Sequence, residues 1–400
     1  GRKANDFKHG RKEKIMTEKH NCCGCTACLH SCPVHCMTMQ EDEEGFLYPV
    51  TDQKSCIHCH RCETVCPIQK LENRNTETAA YVGYCRNEAI REQSSSGGIF
   101  SVLAEWILQQ NGVVFGAAFD HNFEVFHIAI ETKAELAKLR GSKYVQSRMG
   151  NAYPEVKQYL EMERKVLFTG TACQIAGLKN YLRKEYDNLY TVDVLCHGVP
   201  SPKIWRMYLE EQKKQYGASV EKAEFRNKVY GWNNYSVTID FSGMQQYCVQ
   251  FSEDQFMRMF LSNLDLRPSC YACRFKALPR SSDMTIGDSW GIERVMPDLG
   301  DDKGISVILV HSQKGGRILQ EVQEKLITRE ANLDEVLPPT ADSRKSVAMH
   351  PNRKKYLRGL QNGESFDVLY GYVRKSFLQK AVDLIRYMAV RFGQTFFRRT

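Results

Sequence analysis

Several things are missing from this 400-residue chain, and each absence narrows what it can be. No run of eighteen apolar residues occurs, which argues against a membrane-spanning helix. No apolar stretch follows the basic start, which argues against a secretory signal. Cysteine is too sparse for a secreted disulfide scaffold: there are sixteen, and ten of them crowd between Cys22 and Cys66, as metal ligands do in a reducing compartment. The body also lacks positive charge. The net charge is +8, but residues 1–14 carry +4 and residues 351–400 carry +8, which leaves the remainder at −4. A slightly acidic body is no polyanion-binding surface, so no nucleic-acid partner is expected. With 42% hydrophobic and 26% charged residues, the chain has enough apolar material for a substantial core in two or three domains. The expected location is the cytoplasm. The chain opens on Gly1 rather than Met, and Met16 stands just before the cysteine block, so the first residues read as a dispensable basic extension.

What is present begins with an internal repeat. CCGCTACLHSCP and CIHCHRCETVCP align at an offset of 34, pairing Cys22 with Cys56, Cys25 with Cys59, Cys28 with Cys62, Cys32 with Cys66 and Pro33 with Pro67. Each half reads CxxCxxCxxxCP. Three cysteines on one loop reach three irons of a cubane, while the fourth serves the neighbouring cluster. By that rule Cys22, Cys25, Cys28 and Cys66 hold one 4Fe-4S cluster, and Cys56, Cys59, Cys62 and Cys32 hold the other. Two zinc sites are the rival reading, but zinc gives no reason for a third cysteine on each loop or for the repeat. Cys23 and Cys36 are surplus to either scheme and read as packed or exposed thiols.

Beyond Cys66 a polar linker leads into alternating strand and helix patterns. AYVGYCR, VVFGAAFD, FEVFHIAI, KVLFTG and LYTVDVLCHG read as strands; SSSGGIFSVLAEWILQQNG, with serine at its cap, and SPKIWRMYLEEQKKQYG read as helices. AEFRNKV, YSVTIDF and QYCVQF alternate like antiparallel strands, so parallel and antiparallel sheet are expected together. Two strands end in cysteine, Cys173 in FTGTAC and Cys196 in VLCHG, and an open α/β sheet brings such ends to one edge. CYACRF adds Cys270 and Cys273. Four such thiols suit a third cubane or a four-cysteine zinc site, with the helix N-terminus favouring thiolate at Cys173; on spacing alone the commoner reading is small buried hydrophobes.

SSSGGIFSVLAEWIL, GSKYVQS, FTGTACQIAGL, VDVLCHGVPSPKIW and RPSCYACRFKALPRSSDMTIGDSWG, in this order over residues 79–295, resemble the coenzyme F420 hydrogenase/dehydrogenase beta-subunit family. The cysteine block in front is similar to bacterial members that carry their own two-cluster module. The resemblance implies an iron–sulfur flavoprotein, FAD as the flavin, and a third 4Fe-4S cluster at Cys173, Cys196, Cys270 and Cys273. It implies a mixed α/β (α+β) fold: a bacterial-type dicluster ferredoxin domain, a mixed-sheet body and a C-terminal helical tail. The expected boundaries are 1–16 for the extension, 17–70 for the ferredoxin domain, 79–155 and 160–335 for the family's N- and C-terminal domains, and 350–400 for the tail.

Candidate flavin contacts are Ser96, Gly97 and Gly98 at a helix start, then Gly141, Ser142, Lys143 and Tyr144, then Thr169, Gly170 and Thr171 of FTGTAC. The first two groups are more often only a cap and only a turn, and neither matches GxGxxG or a Walker A loop. Clusters carry one electron and a flavin two, so the expected activity is an electron relay to or from an unidentified acceptor. The expected partner is a soluble donor such as ferredoxin, or a larger redox enzyme. His197, Asp288 and Lys143 lie near the expected site, but each reads as a structural or cofactor contact, so no catalytic acid or base is assigned. In the tail, Phe377, Ala381, Leu384, Ile385, Met388 and Phe392 fall at helical spacing among Lys380, Asp383, Arg386 and Arg391. Such a basic amphipathic helix suits peripheral contact with the inner face of a membrane, although packing on the body or a partner is the commoner fate.

Overall fold

The computed structural model describes residues 18–70 and 75–373; the basic extension and the amphipathic run from Phe377 onward lie outside them. Among the described residues no helix is long and apolar enough to cross a membrane.

Residues 18–70 form the small N-terminal module. Its strands Met37–Glu41 and Leu47–Thr51 pair antiparallel, and two one-turn helices, Ala27–His30 and Arg61–Thr64, touch each other. The repeat survives in the backbone. The two helices start 34 residues apart, and both are preceded by left-handed residues at equivalent places: Gly24 (φ 71°) with His58 (φ 53°), and Thr26 (φ 66°) with His60 (φ 56°). Non-glycine residues seldom adopt that region, so both loops wind alike despite different side chains.

The body is built on an eight-stranded mixed sheet. From one edge its strands are Leu326–Glu330, Ala79–Cys85, Ser306–Val310, Met284–Asp288, Leu189–Val194, Val166–Thr171, Val113–Phe119 and Val125–Ile130. The four from Met284–Asp288 to Val113–Phe119 are parallel to one another, with antiparallel pairs on either side. Strands from both halves of the body thus share one sheet. Central parallel strands are covered on both faces and read as continuous apolar runs; Val166, Leu167 and Phe168 are all fully buried. Helix Ile99–Leu108 covers one face, placing Val102, Leu103 and Ile107 against Val114, Leu167 and Ile308. Its serines do not cap it. Gly98 is the N-cap at φ 87°, a conformation glycine adopts without cost, and no side chain caps the end.

A second, three-stranded antiparallel sheet joins Val220–Asn227, Ser236–Phe241 and Gln245–Gln250, as their alternation predicts. It shares a core with helix Pro202–Tyr216, which is capped by Ser201, begun by proline and ended by left-handed Gly217. The described part of the tail, helices Arg353–Gln361 and Phe366–Gly371, packs into this core through Tyr356, Leu360, Phe366 and Leu369.

The module is seated on the other face of the main sheet. Cys23, Cys25, Ala27 and Val65 belong to the same apolar cluster as Phe168, Ile175 and Leu178. Close approach depends on Gly177 in helix Ala172–Leu182: a Cβ there would lie 2.8 Å from the Cys25 side chain and 2.8 Å from the Tyr153 hydroxyl. Gly177→Ala is therefore expected to destabilise the protein by about 1–3 kcal/mol through overpacking, measured as a lower urea midpoint with an unchanged m-value.

Candidate metal centre

In the module, Cys22, Cys25, Cys28 and Cys66 line one cavity with Cys23, Pro67 and Ile68. This is the grouping the repeat predicts, three thiols from the first loop and one from the second. Cys32 packs with Cys56 and Cys62, while Cys59 stands exposed on the same loop. Cys36 enters this group as well, its sulfur 3.4 Å from that of Cys32, and burial pushes its thiol up to about 12. Both surplus cysteines are buried. Cys23 lines the first cavity and the body cavity alike, and its thiol interacts with that of Cys173.

The body cavity is made by sheet register. Val166–Thr171 and Leu189–Val194 run parallel with Thr171 opposite Val194, so Cys173 and Cys196 each follow two residues beyond that pair. The chain after Cys196 meets the segment before Cys270 through a bridge between Pro200 and Leu266, and the Arg267 amide donates to the Val199 carbonyl at 2.9 Å. Gly198 lets the two segments close, since a Cβ there would lie 2.8 Å from Leu266. As a result Cys173, Cys196, Cys270 and Cys273 line one cavity of about 50 Å³, with Thr171 and Gln174 also in its wall. Thr171 caps the helix that starts there, and its hydroxyl is 3.1 Å from the Cys173 sulfur. Burial pushes the Cys270 thiol up to about 12 and raises Cys196 further.

Three buried cations also wall this cavity: Arg267, Lys276 and Arg280. Arg280 pairs with buried Asp193 at 2.6 Å. Lys276 donates to the carbonyls of His197 and Asp342 at 2.8 and 2.6 Å. Sequence reading missed all three, although four basic residues flanking one CxxC, in RPSCYACRFKALPR, are a visible signal.

The expected flavin contacts divide into two groups. The serine–glycine turn meets the Gly141–Tyr144 loop: the Ser142 amide and hydroxyl both reach the Ser95 hydroxyl, at 2.8 and 3.0 Å. Arg226, unmarked in the sequence, ties the region together, donating to the Ser95 carbonyl (3.1 Å), the Tyr144 hydroxyl (3.1 Å) and Asp288 (2.7 Å). Ser96 donates to the Ile305 carbonyl and the Gly97 amide to Ser306. Lys143 turns back on its own loop, donating to the carbonyls of Lys138 and Arg140 at 3.0 and 2.9 Å, and burial lowers its pKa to about 7. Thr171 belongs to the cysteine cavity. Thr169 donates to the Phe115 carbonyl, and at Gly170 a Cβ would meet Gln174 at 2.8 Å. His197 bonds Asn263 at 2.6 Å, and Asp288 accepts also from the Trp232 indole.

Two family models described as "Coenzyme F420 hydrogenase/dehydrogenase, beta subunit" match the body, the N-terminal one over residues 80–153 and the C-terminal one over residues 163–336. The chain belongs to this family. Residues 21–70 match a 4Fe-4S dicluster domain, so this family member carries its own iron–sulfur module and is an electron-transfer component of a redox enzyme. Among solved structures, a chain from the F420-reducing NiFe hydrogenase complex of Methanosarcina barkeri is similar at 16% identity, covering 73% of this chain and 91% of that one with a TM-score of 0.45. No curated protein matches.

One buried titratable group supports the wall behind the cavity. His127 donates from Nε2 to the Thr169 carbonyl (3.0 Å) and accepts at Nδ1 from Ser147 (2.8 Å); burial lowers its pKa to about 4. Because this lies below the unfolded value of about 6.5, the unfolded state binds the extra proton between the two. The stability is complete above pH 6.5 and lost as pH falls toward 4, by up to about 3 kcal/mol. Denaturant midpoints taken across that window are expected to fall less steeply in His127→Gln than in the wild type.

Proposed function

We propose that the chain is an iron–sulfur flavoprotein oxidoreductase that relays electrons between a module holding two 4Fe-4S clusters, a third cluster in the body and an acceptor. The observation that carries this reading is the convergence of Cys173, Cys196, Cys270 and Cys273, from three distant segments, on one cavity beside the module. The donor set fits a cluster. The cavity, about 50 Å³, is several times what one water requires. Buried thiolates also require compensating charge, and Arg267, Lys276 and Arg280 supply it. When bound, such clusters carry single electrons. The chain's own part is to hold the thiols, exclude water and fix the cations.

Within the module, Cys22, Cys25, Cys28 and Cys66 would hold the inner cluster, and Cys32, Cys56, Cys59 and Cys62 the outer one. FAD is the finer part of the proposal and rests on the family resemblance. Ser96, Gly97 and Lys143 spend their donors on protein acceptors, so they would hold a flavin phosphate only by giving up those bonds. Those engaged donors favour a second reading, an electron-transfer subunit that docks on a larger redox enzyme. The partner is accordingly either a soluble donor such as ferredoxin or that larger enzyme.

Anaerobic reconstitution tests the proposal by content. About twelve irons per chain are expected, and Cys270→Ala should lose about four while the module's eight remain. Eight irons in the wild type would remove the body cluster. One bound FAD with turnover of an acceptor supports the enzyme; clusters without flavin support the docking role.

A further inference from the structure

Among the described residues five arginines are buried: Arg91, Arg226, Arg267, Arg280 and Arg353. Four of them face a carboxylate, in the pairs Arg91–Asp301, Arg226–Asp288, Arg280–Asp193 and Arg353–Glu44. Arg267, only 1% exposed, has no carboxylate within 4 Å among the described residues. Its three nitrogens donate instead to neutral oxygens: the Cys22 carbonyl (2.7 Å), the Gln146 side chain (2.8 Å) and the Leu47 carbonyl (3.0 Å). Its guanidinium lies over the Tyr48 ring at 4.2 Å. A buried cation without a counter-charge is costly. Among the groups that would favour its charge if ionised are the Cys22 thiol, the Tyr48 hydroxyl and the thiols of Cys23 and Cys270.

The backbone of Arg267 completes a short bridge. Its side chain holds the carbonyl of Cys22, and its own carbonyl accepts from the Cys270 amide at 2.9 Å. A proposed ligand of the inner module cluster is thereby joined to a proposed ligand of the body cluster through one residue. Gly24 permits the grip, since a Cβ there would lie 2.9 Å from the guanidinium.

We infer that Arg267 is the residue that couples the module to the body, as a fixed positive charge shared by the inner module cluster and the body cluster and as the hydrogen-bonded bridge between them. The inference rests on the proposed body cluster. With both clusters bound, one electron passing between them would leave one oxidised by one and the other reduced by one, with no bond broken and no proton moved. A positive charge beside a cluster favours its reduced form, because net charge is one determinant of the potential. Arg267 is a positioning residue and takes no part in bond chemistry.

The test is an anaerobic redox titration followed by electron paramagnetic resonance, with iron counted in every sample. In Arg267→Met, the inner and body clusters should become harder to reduce, their oxidised-to-reduced ratio at fixed potential rising about tenfold, or about 59 mV for a one-electron couple. The outer cluster should not move. Arg267→Lys, which keeps the charge, should shift both by clearly less. Should the methionine variant not fold, Arg267→Gln, neutral but still a donor to one carbonyl, carries the same expectation. Full iron content with no shift, or with an equal shift of all three clusters, overturns the inference. Eight irons in the wild type overturn instead the body cluster on which it rests.

Discussion

Four thiols lining one cavity would, as thiolates, concentrate like charge where little screens it. The body of this protein is arranged around that constraint. Strand register fixes where Cys173 and Cys196 emerge, and a second chain segment is folded back over them to deliver Cys270 and Cys273. The same segment brings the cations, because Arg267, Lys276 and Arg280 lie within fourteen positions of one another. Two of the four thiols and three cations thus arrive on one piece of chain. Asp193, itself fully buried, is satisfied by Arg280 and Ser282, so the network continues into the sheet without a stranded carboxylate.

A module of about fifty residues is too small to build much of a core, and this one is no exception. Its private apolar cluster consists of little more than Cys28, Cys32, Cys36 and Met37. The remainder of its inward face is shared with the body, where Cys23, Cys25, Ala27 and Val65 complete a core that Phe168 and Ile175 begin. Polar contacts hold the rim: Gln146 donates to the Cys23 carbonyl, Lys203 to that of Glu43, and Arg353 pairs with Glu44. Stability of the module and its nearness to the body cavity follow from the same packing.

Much of this was legible in the sequence, for identifiable reasons. The two CxxCxxCxxxCP halves carry their geometry in local spacing, and the cysteines at strand ends follow from the logic of an α/β sheet. Resemblance to the beta-subunit family extended this to the domain level. What escaped reading depends on contacts distant in sequence. Arg226 is one basic residue in a strand until folding sets it between Ser95, Tyr144 and Asp288. Lys143 looked available for a phosphate, yet its loop curls so that its own carbonyls claim it. The serines before Gly97 resembled a cap, but the left-handed glycine ends the turn and directs them elsewhere.

The module's two loops share one ligand pattern and one set of left-handed turns, but not one environment. Docking presses the first against the sheet and leaves the second, with Cys59 and Ile57 exposed, facing solvent. Reduction potential depends on hydration and neighbouring charge as well as on ligands. Two copies of one motif are therefore unequal in exposure by placement alone, and a symmetric duplication acquires an outer and an inner end.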